Sequence, residues 1–261
     1  MDHAQDLDLL NLTFAYVFPY LSYTTGDAAG PIEGALLAEV LPAGVPAALI
    51  GGMPLFGGAI MLILGALAVG SGYGWGTWKT VFTQGPSRLA AFGGTVAAIG
   101  IFVVGVVVGT LVVDLSASVL LATIENQPID FASFGALAEA VGAGLLIFGM
   151  WSMAGVLVGT LARGPALAVG LGLVWTLVLE NLLRGVGGLL TWLQPVTDAF
   201  PGTAAGSLAG VVGATPVSGG DEGTPGVLTV LGGGSATLLL VAYVLAFAGI
   251  AAALVRQRDL T

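Results

Sequence analysis

Long apolar runs separated by short polar ones set the pattern of this chain. Four runs carry no charge, and each reaches the roughly 20 residues a helix needs to cross the hydrocarbon core of a bilayer. They are Pro46–Val69, Leu89–Val113, Ala140–Ala162 and Ala236–Val255. A fifth, Pro165–Leu183, is long enough but contains Glu180. The runs are too long for strands and lack the alternating polar face of a membrane barrel. The pattern predicts an all-α, polytopic bundle of transmembrane helices, a single membrane domain over residues 1–261 with five full spans.

The N-terminal pattern is different. Leu9–Gly26 is uncharged, but its firmly apolar part, Leu12–Leu21, is half a span, and Asp2, Asp6 and Asp8 precede it. Two readings stand: a surface-lying or re-entrant helix, or the outer half of a first span whose start is expected to be missing, since an isolated half-span leaves backbone polar groups unsatisfied in lipid.

Composition sharpens the membrane reading. Charged residues make up 8% of the chain and hydrophobic ones 56%, whereas a soluble domain carries about a quarter charged residues. The 43 glycines fit close helix–helix contacts in lipid. Gly105–Gly109 and Gly155–Gly159 give GxxxG spacings inside spans, each a weak signal in so glycine-rich a chain. With no Cys and one His, His3, the chain offers neither thiolate zinc or iron–sulfur sites nor a histidine cluster, and no metal, cofactor or catalytic residue is expected in it.

The basic residues set the expected orientation. Lys79, Arg88, Arg163, Arg256 and Arg258 fall on one face of a five-span arrangement and Arg184 alone on the other. Asp2, Asp6, Asp8, Asp27, Glu33, Glu39, Glu125, Asp130, Glu139, Asp198, Asp221 and Glu222 fall on the face opposite the basic majority. This places the C-terminus in the cytoplasm of a cell-membrane protein. Asp114–Glu139 and Arg184–Ser235 become extracytoplasmic loops, the first with room for short interfacial helices, the second with a Gly-rich flexible tip at Val217–Gly226. Asp114 reads as the outer boundary of its span, and Glu125, Asp130 and Glu139 as solvated loop charges.

On the cytoplasmic side, Gly70–Arg88 (GSGYGWGTWKTVFTQGPSR) joins two long spans. Trp75, Trp78 and Phe82 recur at helical spacing, with Lys79 and Gln84 off that stripe. Gly85-Pro86 ends the segment, and Ser87 is placed to cap the next helix, which begins around Leu89. The segment reads as a short amphipathic helix lying flat against the membrane, suited to receive a push from a cytoplasmic partner. Lys79-Thr80 lacks the Gly that a P-loop requires before its Lys, so a nucleotide-driven engine must be another polypeptide.

These residues resemble the cytoplasmic loop of the permease subunits of export-type ATP-binding-cassette transporters, the type-2 membrane domain. Tyr73, Gly74, Gly76, Thr77, Lys79, Thr80, Thr83, Pro86, Ser87 and Arg88 stand at positions matching the family motif. Pro54–Ser71, Val174–Gly185 and Arg256–Leu260 look similar to the family too. Gly72 stands where the family usually has an acidic residue, and no Lys stands near Thr95. Phe14–Gly26 looks like the outer end of the family's first span, of a six-span fold. The resemblance implies that 70–88 is a coupling helix, with Tyr73, Gly74, Trp75, Gly76, Thr77, Trp78, Lys79, Phe82, Gln84, Pro86, Ser87 and Arg88 meeting a P-loop ATPase subunit that binds ATP and Mg. It also implies pairing with a second permease, identical or related, within the lipid bilayer, and export of cargo. An apolar path points to a drug-like or lipid-like amphipathic cargo; no nucleic-acid partner is expected.

Glu180, with Asn181 and Arg184, is the remaining candidate. An ionisable group in a span is a functional hypothesis by default, here substrate contact or an outer gate. The simpler alternative is an i,i+4 pair of Glu180 with Arg184, both reaching the interface. A secondary transporter or channel and a non-transporting assembly subunit are the rival functional classes, and a membrane-embedded enzyme would need an inward cluster of His, Asp or Glu that the chain does not offer.

Overall fold

A computed structural model of the chain describes residues 12–25, 31–76, 87–216 and 223–257. Among the described residues there are no strands, only an isolated bridge between Pro216 and Thr224. Helix α1 (Phe18–Thr25) follows a π turn at Thr13–Val17, and α2 is Pro31–Val40. Five helices are then long and apolar enough to cross a membrane: α3 (Pro42–Gly74), α4 (Arg88–Ile124), α5 (Phe134–Ala162), α6 (Pro165–Gly187) and, after two short helices, α9 (Gly233–Gln257). The short ones are α7 (Gln194–Asp198) and α8 (Pro201–Val212). Each of the five predicted apolar runs lies within one of these helices, and each helix is longer than its run.

Local chemistry fixes the boundaries. Ser87 caps α4, its Oγ accepting from Ala90 N–H at 3.2 Å, and Ser133 caps α5 by the same bond to Ala136 N–H at 3.2 Å, each satisfying a donor that the first turn leaves free. Helices α6 and α8 open with Pro165 and Pro201 in the first turn, where a missing N–H costs nothing. Pro54 lies inside α3 and cannot donate. The helix absorbs it in a π turn at Met53–Gly57, where Gly57 N–H reaches Gly52 O at 3.0 Å.

Glycine sets the packing of α3 on α5. A Cβ on Gly65 would stand 2.1 Å from Ser152 O, and one on Gly155 would stand 2.0 Å from Leu62 O. Gly159 meets Ala66, and Gly70 meets Pro165. The two helices therefore run parallel with their backbones in contact, an approach only glycine permits. Gly155–Gly159 is a packing motif, while Gly105 faces open space. Met61, Leu62, Ile147, Met150 and Trp151 fill the core between these helices.

Three sequence expectations need correction. Asp114 does not end its span: α4 continues to Ile124, and Asp114 is fully buried. A lone charge in an apolar run looks like a terminus, but here Thr110, Asp114 and Ser118 recur every four residues on one buried face. The connection between α4 and α5 is thus 125–133, without helices of its own. The second, Arg184–Ser235, is no simple loop, because it contains α7 and the buried α8. Of its expected flexible tip, 217–222 lie outside the described residues, while Gly226 is held, a Cβ there falling 2.6 Å from that of Leu55.

The N-terminal segment meets α4 through its tyrosines. Tyr20 Oη–H donates to Glu125 Oε1 at 2.7 Å and Tyr23 Oη–H to Glu125 Oε2 at 3.5 Å, while Tyr16 is buried beside Asp114. Glu125 is therefore a docking point for these tyrosines and not a solvated charge.

Candidate functional site

The predicted coupling loop is described at its two ends. Thr77, Trp78, Lys79, Phe82, Gln84 and Pro86 lie outside the described residues. On the leading side, α3 ends at Gly74, and Trp75 caps it by donating its N–H to Ser71 O at 2.9 Å. Gly76 follows with φ +68°, in the left-handed region that glycine tolerates. Helical geometry breaks there, so Trp75 belongs to the end of α3. Trp75 is 81% exposed, while Tyr73 packs against the core. Gly74 rests on Pro165, 3.1 Å from where its Cβ would be. On the far side Ser87 and Arg88 open α4. The 163–165 turn, with Arg163 at φ +53°, therefore sits against the leading end of the loop.

The second candidate cluster lies toward the other end of the bundle, and the structure makes it a built site. Glu180 is 1% exposed. It follows a second π turn, Val174–Leu179 in α6. In that turn Thr176 Oγ1–H returns to Gly172 O at 2.9 Å, and Asn181 Nδ2 donates to Thr176 O and Leu177 O, both at 3.1 Å. Asn181 thus satisfies carbonyls that the wide turn leaves without their usual partners. Its Oδ1 accepts from Arg184 Nη2.

Glu180 does not close the expected pair with Arg184 at the interface. Its Oε1 accepts from Thr203 N–H at 3.0 Å, in the first turn of α8. A carboxylate there meets the free N–H groups and the positive end of the helix dipole. Gly202 is required beside it, since a Cβ would fall 2.4 Å from Oε1. Glu180 Oε2 and Arg184 Nη1 are both buried without a hydrogen-bond partner, and the Trp175 indole approaches the carboxylate without reaching bonding geometry. The Trp175 ring meets the edge of Phe200, the residue preceding α8, at 5.8 Å between centroids.

The two π turns meet across a small cavity lined by Pro54, Leu55, Trp151, Thr176, Glu180, Arg184, Gly202 and Gly226. Trp151 Nε1–H donates to Pro54 O at 3.1 Å, supplying a donor to the widened turn of α3. Helix α8 itself is a plug of small residues, with Thr203, Ala204, Ala205, Gly206, Ser207, Leu208 and Ala209 all buried. Sequence reading found Glu180, Asn181 and Arg184 and missed Pro54, Trp151, Gly202 and Thr203. The one local signal was Phe200-Pro201 opening a run of small residues too short to span. Among the described residues no cluster of His, Asp or Glu is arranged to hold a metal ion.

Neither a protein-family model, nor a curated protein, nor a solved structure matches this chain.

Proposed function

We propose that the chain is the membrane-spanning permease subunit of an exporter driven by a separate P-loop ATPase. One observation carries the reading: the motif-bearing segment Gly70–Arg88 is strung between two spanning helices, α3 and α4, with a glycine break after Trp75 and a serine cap before Arg88. A partner bound at that place, between the ends of two long apolar helices, acts on both of them directly. Arg88, Arg163 and Arg256, at the ends of α4, α5 and α9, support a cytoplasmic setting for this end. ATP and Mg belong to the partner, and a second permease completes the path. The cargo is amphipathic, drug-like or lipid-like, and it leaves past the Glu180 cluster.

A second reading draws on a different observation. A buried carboxylate in a span, next to helices interrupted by π turns and a short buried helix, is also the arrangement of secondary transporters. Co-purification separates the two. The tagged chain is taken from membranes in mild detergent and its stoichiometric partners identified by mass spectrometry, beside a Trp78→Ala, Lys79→Glu variant. The exporter reading expects a P-loop ATPase with the unaltered chain and its loss from the variant. Transport by the chain alone, driven by an ion gradient, would establish the second reading.

A further inference from the structure

Helix α8 is fastened to the spanning bundle at identifiable points. Thr203 N–H bonds Glu180 Oε1 at 3.0 Å, Leu228 N–H bonds Gly206 O at 3.0 Å, and Leu231 N–H bonds Ser207 Oγ at 3.1 Å. Tyr243 Oη–H of α9 bonds Ala199 O, just before α8, at 2.7 Å. Of these ties, the one made by Glu180 comes from a helix with a π turn directly before the tying residue, and a wide turn is a natural point of bending. The carboxylate is half used. Burying Oε2 without a partner is costly in a low-dielectric interior, and Arg184 buries Nη1 without one in the same cavity lining. These two atoms have opposite charge and sit four residues apart on one helix, the spacing at which such pairs close.

We propose that α8 is the gate at this end of the transport path and that Glu180 is its two-position latch, bonded to Thr203 when the gate is shut and turned to Arg184 when it is open. In the shut position the carboxylate caps α8 and holds its small-residue face in the bundle. Rotation toward Arg184 pairs both unsatisfied atoms and frees the first turn of α8, so the two positions exchange a helix cap for an ion pair. Glu180 acts through α8 as a positioning residue, and the gating role rests on the exporter reading above.

The chain has no cysteine, so an introduced thiol reports alone. In an Ala205→Cys background, at a fully buried position of α8 that makes no side-chain bond, a small membrane-permeant maleimide reads how often α8 leaves the bundle, without any need for transport. The latch predicts slow labelling with Glu180 present, and labelling within about twofold of that with Glu180→Gln, which keeps the Oε1 acceptor. It predicts labelling about tenfold faster with Glu180→Ala, from loss of a hydrogen bond to a charged group. Gly202→Ala, whose Cβ displaces Oε1 while leaving Glu180 intact, should speed labelling similarly, which guards against a Glu180→Ala chain that fails to fold. Equal rates for the single-cysteine background alone, with Glu180→Ala and with Gly202→Ala would overturn the latch, as would Glu180→Gln labelling as fast as Glu180→Ala.

Gating has its own arm. A Cβ on Gly233 would lie 3.9 Å from that of Val211, within disulfide range. Val211→Cys with Gly233→Cys should stop ATP-driven efflux on oxidation and regain it on reduction, with the ATPase still bound. Undiminished efflux from the oxidised protein would overturn the gate while leaving the exporter reading intact. Absence of an ATPase from the unaltered chain would remove the exporter reading while the labelling rates still judged the latch.

Discussion

A Cβ on Gly155 would stand 2.0 Å from the carbonyl oxygen of Leu62. The two residues belong to different spanning helices, so the distance means that α5 and α3 touch backbone to backbone. In lipid, where burial of apolar surface drives helix association little, such close approach supplies van der Waals and Cα–H···O contacts. It also fixes α6, because Gly172 meets the side chain of Leu62 from the other side.

This contact makes two glycines of the same GxxxG spacing, Gly155 and Gly105, unequal. Gly155→Val should lower stability by about 3 kcal/mol or more, since the overlap is with backbone and cannot be relieved by a rotamer change. Gly105→Ala meets nothing within 4 Å and should raise stability by about 0.5 kcal/mol through helix propensity. Thermal unfolding of the purified variants in one detergent checks both. A similar loss at the two positions would mean that α3 and α5 do not pack as described.

Trp151→Phe should cost about 1–3 kcal/mol, because Pro54 O loses its indole donor in a buried place. The effect is local to the π turn, so hydrogen exchange of amides around Met53–Gly57 should quicken while that of Arg88–Ile124 stays unchanged. Exchange that is unaltered at the π turn would show that the turn does not depend on the indole.

Ser87→Ala should weaken the start of α4 by about 1 kcal/mol, and Ser87→Thr should come close to the unaltered chain. Exchange at the Ala90 amide, which donates to Ser87 Oγ, is the direct readout. Equal protection in Ser87→Ala would remove the cap, and with it a fixed far end for the loop.

What could be read from the sequence follows from how local each feature is. The five long apolar helices depend on length and scarcity of charge, properties of single segments, and all five were legible. So was the Ser87 cap, a pattern within four residues. Helix α8 was not, because twelve residues of PGTAAGSLAGVV are too few for a span and too small-sided to suggest a core; their burial depends on partners in α3, α5 and α9. Glu180 was picked out by its charge, but its partner Thr203 comes 23 residues later and nothing nearby announces it. The nearer candidate, Arg184, was the natural choice at i,i+4 spacing. Asp114 was misplaced for the same reason: it is buried beside Tyr16, about a hundred residues earlier in the chain.

The central claim is that residues 70–88 touch an ATPase, and a site-specific cross-link tests it most directly. Trp78→Cys gives the otherwise cysteine-free chain a single thiol in the loop, to be coupled to a short photoactivatable group and illuminated in native membranes. The account predicts one dominant cross-linked product whose partner peptide comes from a P-loop ATPase, with the same probe at Ile101, in the lipid-facing middle of α4 and 74% exposed, giving none. Cross-linking at position 78 to lipid alone, in cells where the chain is functional, would contradict it.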